Sequence, residues 1–245
     1  MASPSPTRAL ILAGIGLALV AGIAALILVP RPSDERLPPN PTAAPEHSTP
    51  SALPLVAAVG DSITQGAGEA PPDAPADRSY PAQLAELLGD GYEVRNYGLG
   101  GRTLLADGAM PYTEEPEYDA SLESEPDIVV IMLGTNDSHP GDWDADAYRR
   151  ELAAFATGYR ELPSAPRVIL MTPPAAYGDK DQQRIVAEET APIVRETAQL
   201  LGVELIDIHA ATTGHPEWFP DGLHPNAEGY GAIAGAVAAQ IQSGG

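Results

Sequence analysis

Three regimes of apolar patterning divide the chain. Residues 9–29 are an unbroken run of Ala, Leu, Ile, Val and Gly, 21 residues long. As a helix rising roughly 1.5 Å per residue it spans about 31 Å, the thickness of a bilayer core. Signal-peptide apolar regions are usually about 7–15 residues. Here no small-x-small cleavage site follows Val29, and Pro30-Arg31-Pro32 stands there instead. A retained transmembrane signal-anchor is therefore expected, ahead of secretion after signal cleavage. Arg8 precedes the run, and the Arg31 and Arg36 charges beyond it are offset by Asp34 and Glu35. Residues 1–8 are accordingly expected in the cytoplasm and the remainder outside the cell membrane, in a single pass. Between residues 30 and 54, eight of 25 positions are proline and no apolar period is present. This reads as a linker, which as extended polyproline reaches up to about 78 Å at roughly 3.1 Å per residue.

From residue 55 onward, short apolar runs alternate with stretches of helical period. Strands are predicted over residues 55–59, 92–96, 127–133, 167–171 and 203–208. The third reads Asp-Ile-Val-Val-Ile-Met-Leu, apolar on both faces, as a central parallel strand must be. Helices are predicted over residues 81–88, entered from Ser79 or Tyr80 and closed by Gly89, and over 145–162, capped by Asp144. Two more cover 181–201, closed by Gly202, and 227–242, capped by Asn226. Pro192 lies inside the third helix, where it should kink or divide it. The alternation implies right-handed crossovers and a three-layer α/β/α sandwich around a five-stranded parallel sheet, in one domain over residues 55–245. Ligands of such sheets bind beyond the carboxyl ends of the strands.

The turns after the strands are therefore where chemistry is expected. Gly60-Asp61-Ser62 follows the first strand, Gly98-Leu99-Gly100-Gly101 the second and Gly134-Thr135-Asn136-Asp137 the third. Asp221-Gly222-Leu223-His224-Pro225-Asn226 precedes the last helix. Each alone is ordinary turn chemistry. Together, in this order, they resemble the blocks of the SGNH hydrolases, also called GDSL esterases, and the resemblance runs from Leu55 to the C-terminus. It implies a flavodoxin-like SGNH fold and a serine esterase, with Ser62 as nucleophile, His224 as general base and Asp221 as the residue that orients it. It implies an oxyanion hole made of the N–H groups of Ser62 and Gly101 and the side-chain amide of Asn136. One departure is Gly100, where the family commonly has serine, so a looser loop is expected there. No cofactor is implied.

The residue types suit acyl transfer independently of the family. A serine hydroxyl needs an adjacent base held in one tautomer by a third group, and the oxyanion that forms needs preorganised donors. Asp221 and His224, three apart around Gly222, can form that pair. Read singly, Ser62 is also a cap serine, Asn136 a turn residue and Asp221/His224 half of a metal site, though no further ligand cluster accompanies them. His47, His139, His209 and His215 compete with His224, but none lies in an Asp-x-x-His-Pro-Asn pattern. Asp137 reads as structural.

Charge narrows the partners. The net charge is -21, with no cysteine. Three basic and three acidic residues precede residue 55, so the whole excess belongs to the predicted domain. Nucleic acid is excluded as a partner, since a polyanion gains nothing from counterion release, and thiol chemistry is excluded outright. The expected partners are a small-molecule or glycan ester and, through residues 9–29, the membrane. Residues 65–79 and 104–126 are the expected walls of the site; the second carries seven acidic and no basic residues, with Tyr112 and Tyr118. Such a rim suits a neutral polar substrate with a short acyl group better than a lipid. Residues 80–105, Pro111-Tyr112 and 126–137 resemble the family's carbohydrate O-acetylesterases, which include sialate and acetylxylan esterases. Trp143, Trp218 and Phe219 are candidates for sugar stacking. A lysophospholipase or lipase of the same fold, and a non-catalytic cell-envelope glycan-binding module, are the alternatives.

Overall fold

A computed structural model describes residues 53–68 and 77–244. The predicted anchor over residues 9–29 and the linker as far as residue 52 lie outside the described residues, as does the wall segment 69–76. Among the described residues no helix is long and apolar enough to cross a membrane.

Five strands, β1 (Leu55–Gly60), β2 (Glu93–Gly98), β3 (Ile128–Met132), β4 (Arg167–Met171) and β5 (Glu204–Ile206), form one sheet in the order β2-β1-β3-β4-β5. Every pairing is parallel. The helices are α1 (Ser62–Gln65), α2 (Tyr80–Leu88), α3 (Pro116–Glu123), α4 (Ala145–Arg160), α5 (Lys180–Ile185), α6 (Ala191–Leu201), α7 (Ile208–Thr212) and α8 (Ala227–Ser243).

The period of two along a strand sends alternate side chains to opposite faces. Val56, Ala58, Val130 and Met132 pack with Tyr80 and Leu84 of α2 and Tyr230, Ile233 and Val237 of α8. Ala57, Val59, Val129 and Ile131 pack on the other face with Tyr148, Leu152 and Phe155 of α4 and Ile193, Val194 and Ala198 of α6. The sandwich thus has two cores, and β1 and β3 are buried along their whole length. That is why their sequences are continuous apolar runs rather than alternating ones.

Several boundaries differ from the sequence reading. The strand expected over residues 203–208 ends at Ile206, because Asp207 caps α7, accepting from the Ala210 N–H at 3.1 Å, and pairs with Arg195. The single helix expected over residues 181–201 is interrupted by a π-helical turn, Val186–Thr190, directly ahead of Pro192. A proline cannot donate to an i−4 carbonyl and its ring crowds that oxygen; the wider turn accommodates both. Within the segment read as a wall, Pro116–Glu123 is helical, and Tyr112 and Tyr118 are not in a substrate wall. They pack with Phe155 in an aromatic cluster of the α4-side core, where Tyr112 is fully buried.

Candidate active site

β1 delivers the chain to the carboxyl edge of the sheet, where Asp61 turns it into α1. Asp61 caps that helix, its Oδ1 accepting from the Ile63 N–H at 2.9 Å, and so holds Ser62 at the first helical position. The strand ends beneath have no room for side chains: a Cβ on Gly60 would stand 2.5 Å from the Met132 carbonyl oxygen, and one on Gly98 2.2 Å from the Gln65 nitrogen.

Between Phe219 and Asn226 the chain folds back across this edge. Gly222, at φ +82, permits the bend, and a Cβ there would meet the Gly178 backbone at 2.7 Å. Its carbonyl accepts from the N–H groups of Tyr177 and Gly178, pinning the segment to the loop after β4. Asp221 Oδ1 accepts from the N–H groups of Leu223 and His224 at 2.8 and 2.7 Å, while Oδ2 lies 2.7 Å from His224 Nδ1. His224 Nε2 in turn lies 3.0 Å from Ser62 Oγ. Partial burial pushes the Asp221 carboxyl up, but the two N–H groups and the imidazole outweigh it and hold the carboxyl below its ordinary value. A carboxylate acceptor at Nδ1 fixes the proton there and leaves Nε2 as the acceptor for the serine hydroxyl.

The loops after β2 and β3 are tied together beside Ser62. The Asn136 side-chain amide donates to the Arg102 carbonyl at 2.9 Å, which leaves its second N–H for another acceptor. Gly101, at φ +79, lies one residue before that carbonyl. Asp137 accepts from the N–H groups of Leu104 and Leu105 at 3.1 and 2.8 Å, the structural role expected of it. Arg102 donates to the Gly100 carbonyl at 2.7 Å and pairs with Glu115, so the loop expected to be looser for want of a serine is braced by other groups. Sequence reasoning missed this Arg102 brace, and also Gln182, which donates to the Thr135 carbonyl at 2.9 Å. Neither residue lies in a motif, so no local signal marked them.

Burial raises two carboxyls under the site. Asp61, fully buried, is pushed up to about 7, the Ile63 N–H opposing and Asp137 adding to the effect. Asp137 is pushed up to about 6, against the pull of the Leu105 and Leu104 N–H groups.

Of the competing histidines, His139 is exposed near Asp142, His209 is half-buried on α7, and His215 stacks on Trp218 with ring centroids 3.9 Å apart. None of these reaches Ser62; His47 lies outside the described residues. Among the described residues no group of three or more His, Asp or Glu is placed to hold a metal. Phe219 is buried against Tyr177 and is not a stacking platform. Trp143 packs on Tyr148 and donates to Glu189.

The sequence pattern of the GDSL-like lipase/acylhydrolase family matches residues 58–232, which include every block named above. The chain belongs to that family. It is 35% identical over 208 residues to an acetylxylan esterase of Xylanibacter ruminicola, a match that covers 76% of this chain and 43% of that protein. The chain therefore spans less than half the length of that relative. Among solved structures it is similar to an aryl esterase of M. smegmatis (TM-score 0.65, 22% identity, 78% of this chain and 99% of the other). A carbohydrate acetylesterase of Sinorhizobium meliloti matches at TM-score 0.63 (21% identity, 78% and 99%). An acetylxylan esterase of Geobacillus stearothermophilus, in a catalytic mutant form, aligns at TM-score 0.62 (25% identity, 77% and 94%). The family's five-stranded parallel sheet with flanking helices is the fold found here.

Proposed function

We propose that this protein is a serine esterase that removes short acyl groups, acetyl foremost, from a carbohydrate through a Ser62 acyl-enzyme. The observation that carries this reading is the hydrogen-bonded line from Ser62 Oγ through His224 to Asp221 at the carboxyl edge of the sheet. In the proposed reaction Ser62 Oγ attacks the ester carbonyl while its proton passes to His224 Nε2. Asp221 stabilises the imidazolium that forms. The N–H groups of Ser62 and Gly101 and the free amide N–H of Asn136 receive the oxyanion. Collapse of the tetrahedral intermediate breaks the bond to the sugar oxygen, which takes the proton from His224. A water then repeats the sequence on the acyl-enzyme and releases the acid.

Sugar as the leaving group is supported by the acetylxylan esterase relative. A short acyl group, acetyl, is supported by the same relative. We assign the protein to the outer face of the cell membrane, held by residues 9–29, on the length and apolarity of that run.

Hydrolysis of p-nitrophenyl acetate, butyrate and octanoate by the purified protein tests this. The acetate ester should turn over fastest, and Ser62→Ala should lower kcat by about 10⁴-fold or more. Preference for octanoate would mark a lipase instead, and turnover surviving in Ser62→Ala would remove the acyl-enzyme altogether.

A further inference from the structure

A second cavity, of about 360 Å³, opens on the carboxyl side of β4 and β5, lined by the loop after β4, by α5 and by α7 with its following turn. Its basic side chains are Lys180, Arg184 and His209, and no carboxylate lines it. The lining stands out in a chain of net charge -21, although Glu189, Glu188 and Asp181, on the same stretch, act on Arg184 from outside it.

The helix spacing explains how these groups gather. Lys180, Gln183 and Arg184 stand at i, i+3 and i+4, on one face of α5. Gln182, on another face, reaches the Thr135 carbonyl next to Asn136. Lys180 is the only lysine of the chain. Arg184 is neutralised by Glu189 at 2.8 Å, whereas Lys180 has no ion-pair partner among the described residues. The Asp179 side chain beside it is engaged as the α5 cap, accepting from the Gln182 N–H at 2.9 Å. Burial, with help from the Arg195 charge, holds the His209 imidazole below its ordinary value, so at neutral pH it serves as a neutral hydrogen-bonding group. The cavity thus offers one unpaired cation, an amide and an imidazole, with Ala175 and Ala176 as apolar lining.

The cavity shares a wall with the Ser62 site. Tyr177, which lines it, donates its N–H to the Gly222 carbonyl, in the segment between Asp221 and His224. The hollow and the Ser62 site thus adjoin through the Tyr177–Gly222 contact.

We propose that the cavity around Lys180 binds the carboxylate of a uronosyl residue carried by the same glycan that presents its ester to Ser62. One unpaired cation with neutral hydrogen-bonding groups and apolar lining matches a sugar ring bearing a single negative charge. A phosphate group, with nearly two charges, would call for more cations. The domain's overall charge favours neutral sugars elsewhere along the chain. The proposal rests on the esterase reading and adds to it a preference for an acidic neighbour.

The test compares acetylated xylo-oligosaccharides with and without a uronosyl branch, using the full chain. In Lys180→Gln the KM for the uronosyl substrate should rise about three- to tenfold relative to that for the neutral one, with kcat little changed, and Lys180→Arg should recover most of the loss. An unchanged KM ratio overturns the proposal. Calorimetric binding of both oligosaccharides to Ser62→Ala reads the cavity without turnover. Lys180-dependent uronosyl binding in a protein inert on every ester would sustain the cavity and remove the esterase reading. Ester turnover with no uronosyl preference would do the reverse.

Discussion

Asp61 stands next to the proposed nucleophile, fully buried, capping the helix that begins with Ser62. An acid whose folded-state pKa, here about 7, exceeds its unfolded value of roughly 3.9 favours the fold while it is neutral. That contribution is fully present below about pH 4 and is lost as pH rises through 7. Asn at this position keeps the cap acceptor for the Ile63 N–H and cannot ionise. Asp61→Asn should therefore melt close to the wild type at pH 4 and a few degrees above it at pH 8, for a difference of about 1 kcal/mol or more. Equal melting shifts at both pH values would show that Asp61 ionisation is not coupled to folding. The Gly-Asp-Ser triplet was legible as a turn, but the burial that perturbs Asp61 depends on Asp137 and on the strand ends packed around it, which no local pattern records.

At the scale of elements, α1 is four residues long and rests on the ends of β1 and β2. An isolated turn of this length has no stability of its own. Its position depends on Gly98, where a Cβ would stand 2.2 Å from the Gln65 nitrogen. Gly98→Ala should push α1 and Ser62 away from His224, lowering kcat at least about tenfold and stability by roughly 1–3 kcal/mol. Chevron or urea unfolding together with turnover measures both, and unaltered turnover would mean that α1 is not seated by this contact. Elements with caps, such as α2 with Ser79, α4 with Asp144 and α8 with Asn226, were legible because their starts are set by side-chain bonds to the backbone. Elements fixed by distant partners were not. α3 forms in a segment whose apolar content is too low to give a helical stripe, yet Tyr118 is drawn into contact with Phe155. The π-turn before Pro192 was legible only as a break, since the proline marks where the helix must be relieved but not the form the relief takes.

For the whole molecule, the net charge of -21 and the apolar run at residues 9–29 describe different parts of one chain. The proposed anchoring predicts that the full chain sediments with membranes and resists extraction by carbonate or high salt, whereas the same chain without residues 1–54 stays in the supernatant. Recovery of the intact full-length chain in the soluble fraction would dismiss the anchor. Surface electrostatics alone does not hold so acidic a domain on anionic lipid, so the two outcomes are well separated.

The sequence by itself determined the number of strands along the chain, the parallel sandwich and the turns at the carboxyl edge, each of which depends on a period, a cap or a turn that residues close in sequence impose. Ser62, Gly101, Asn136, Asp221 and His224 were singled out by the family resemblance of those turns. Only the tertiary structure decided that His224 Nε2 stands 3.0 Å from Ser62 Oγ, that Tyr112 and Tyr118 belong to the core, and that Lys180, Arg184 and His209 share a hollow without a carboxylate. These facts join residues separated by up to 162 positions, and the sheet order and packing that bring them together are properties of the folded chain as a whole.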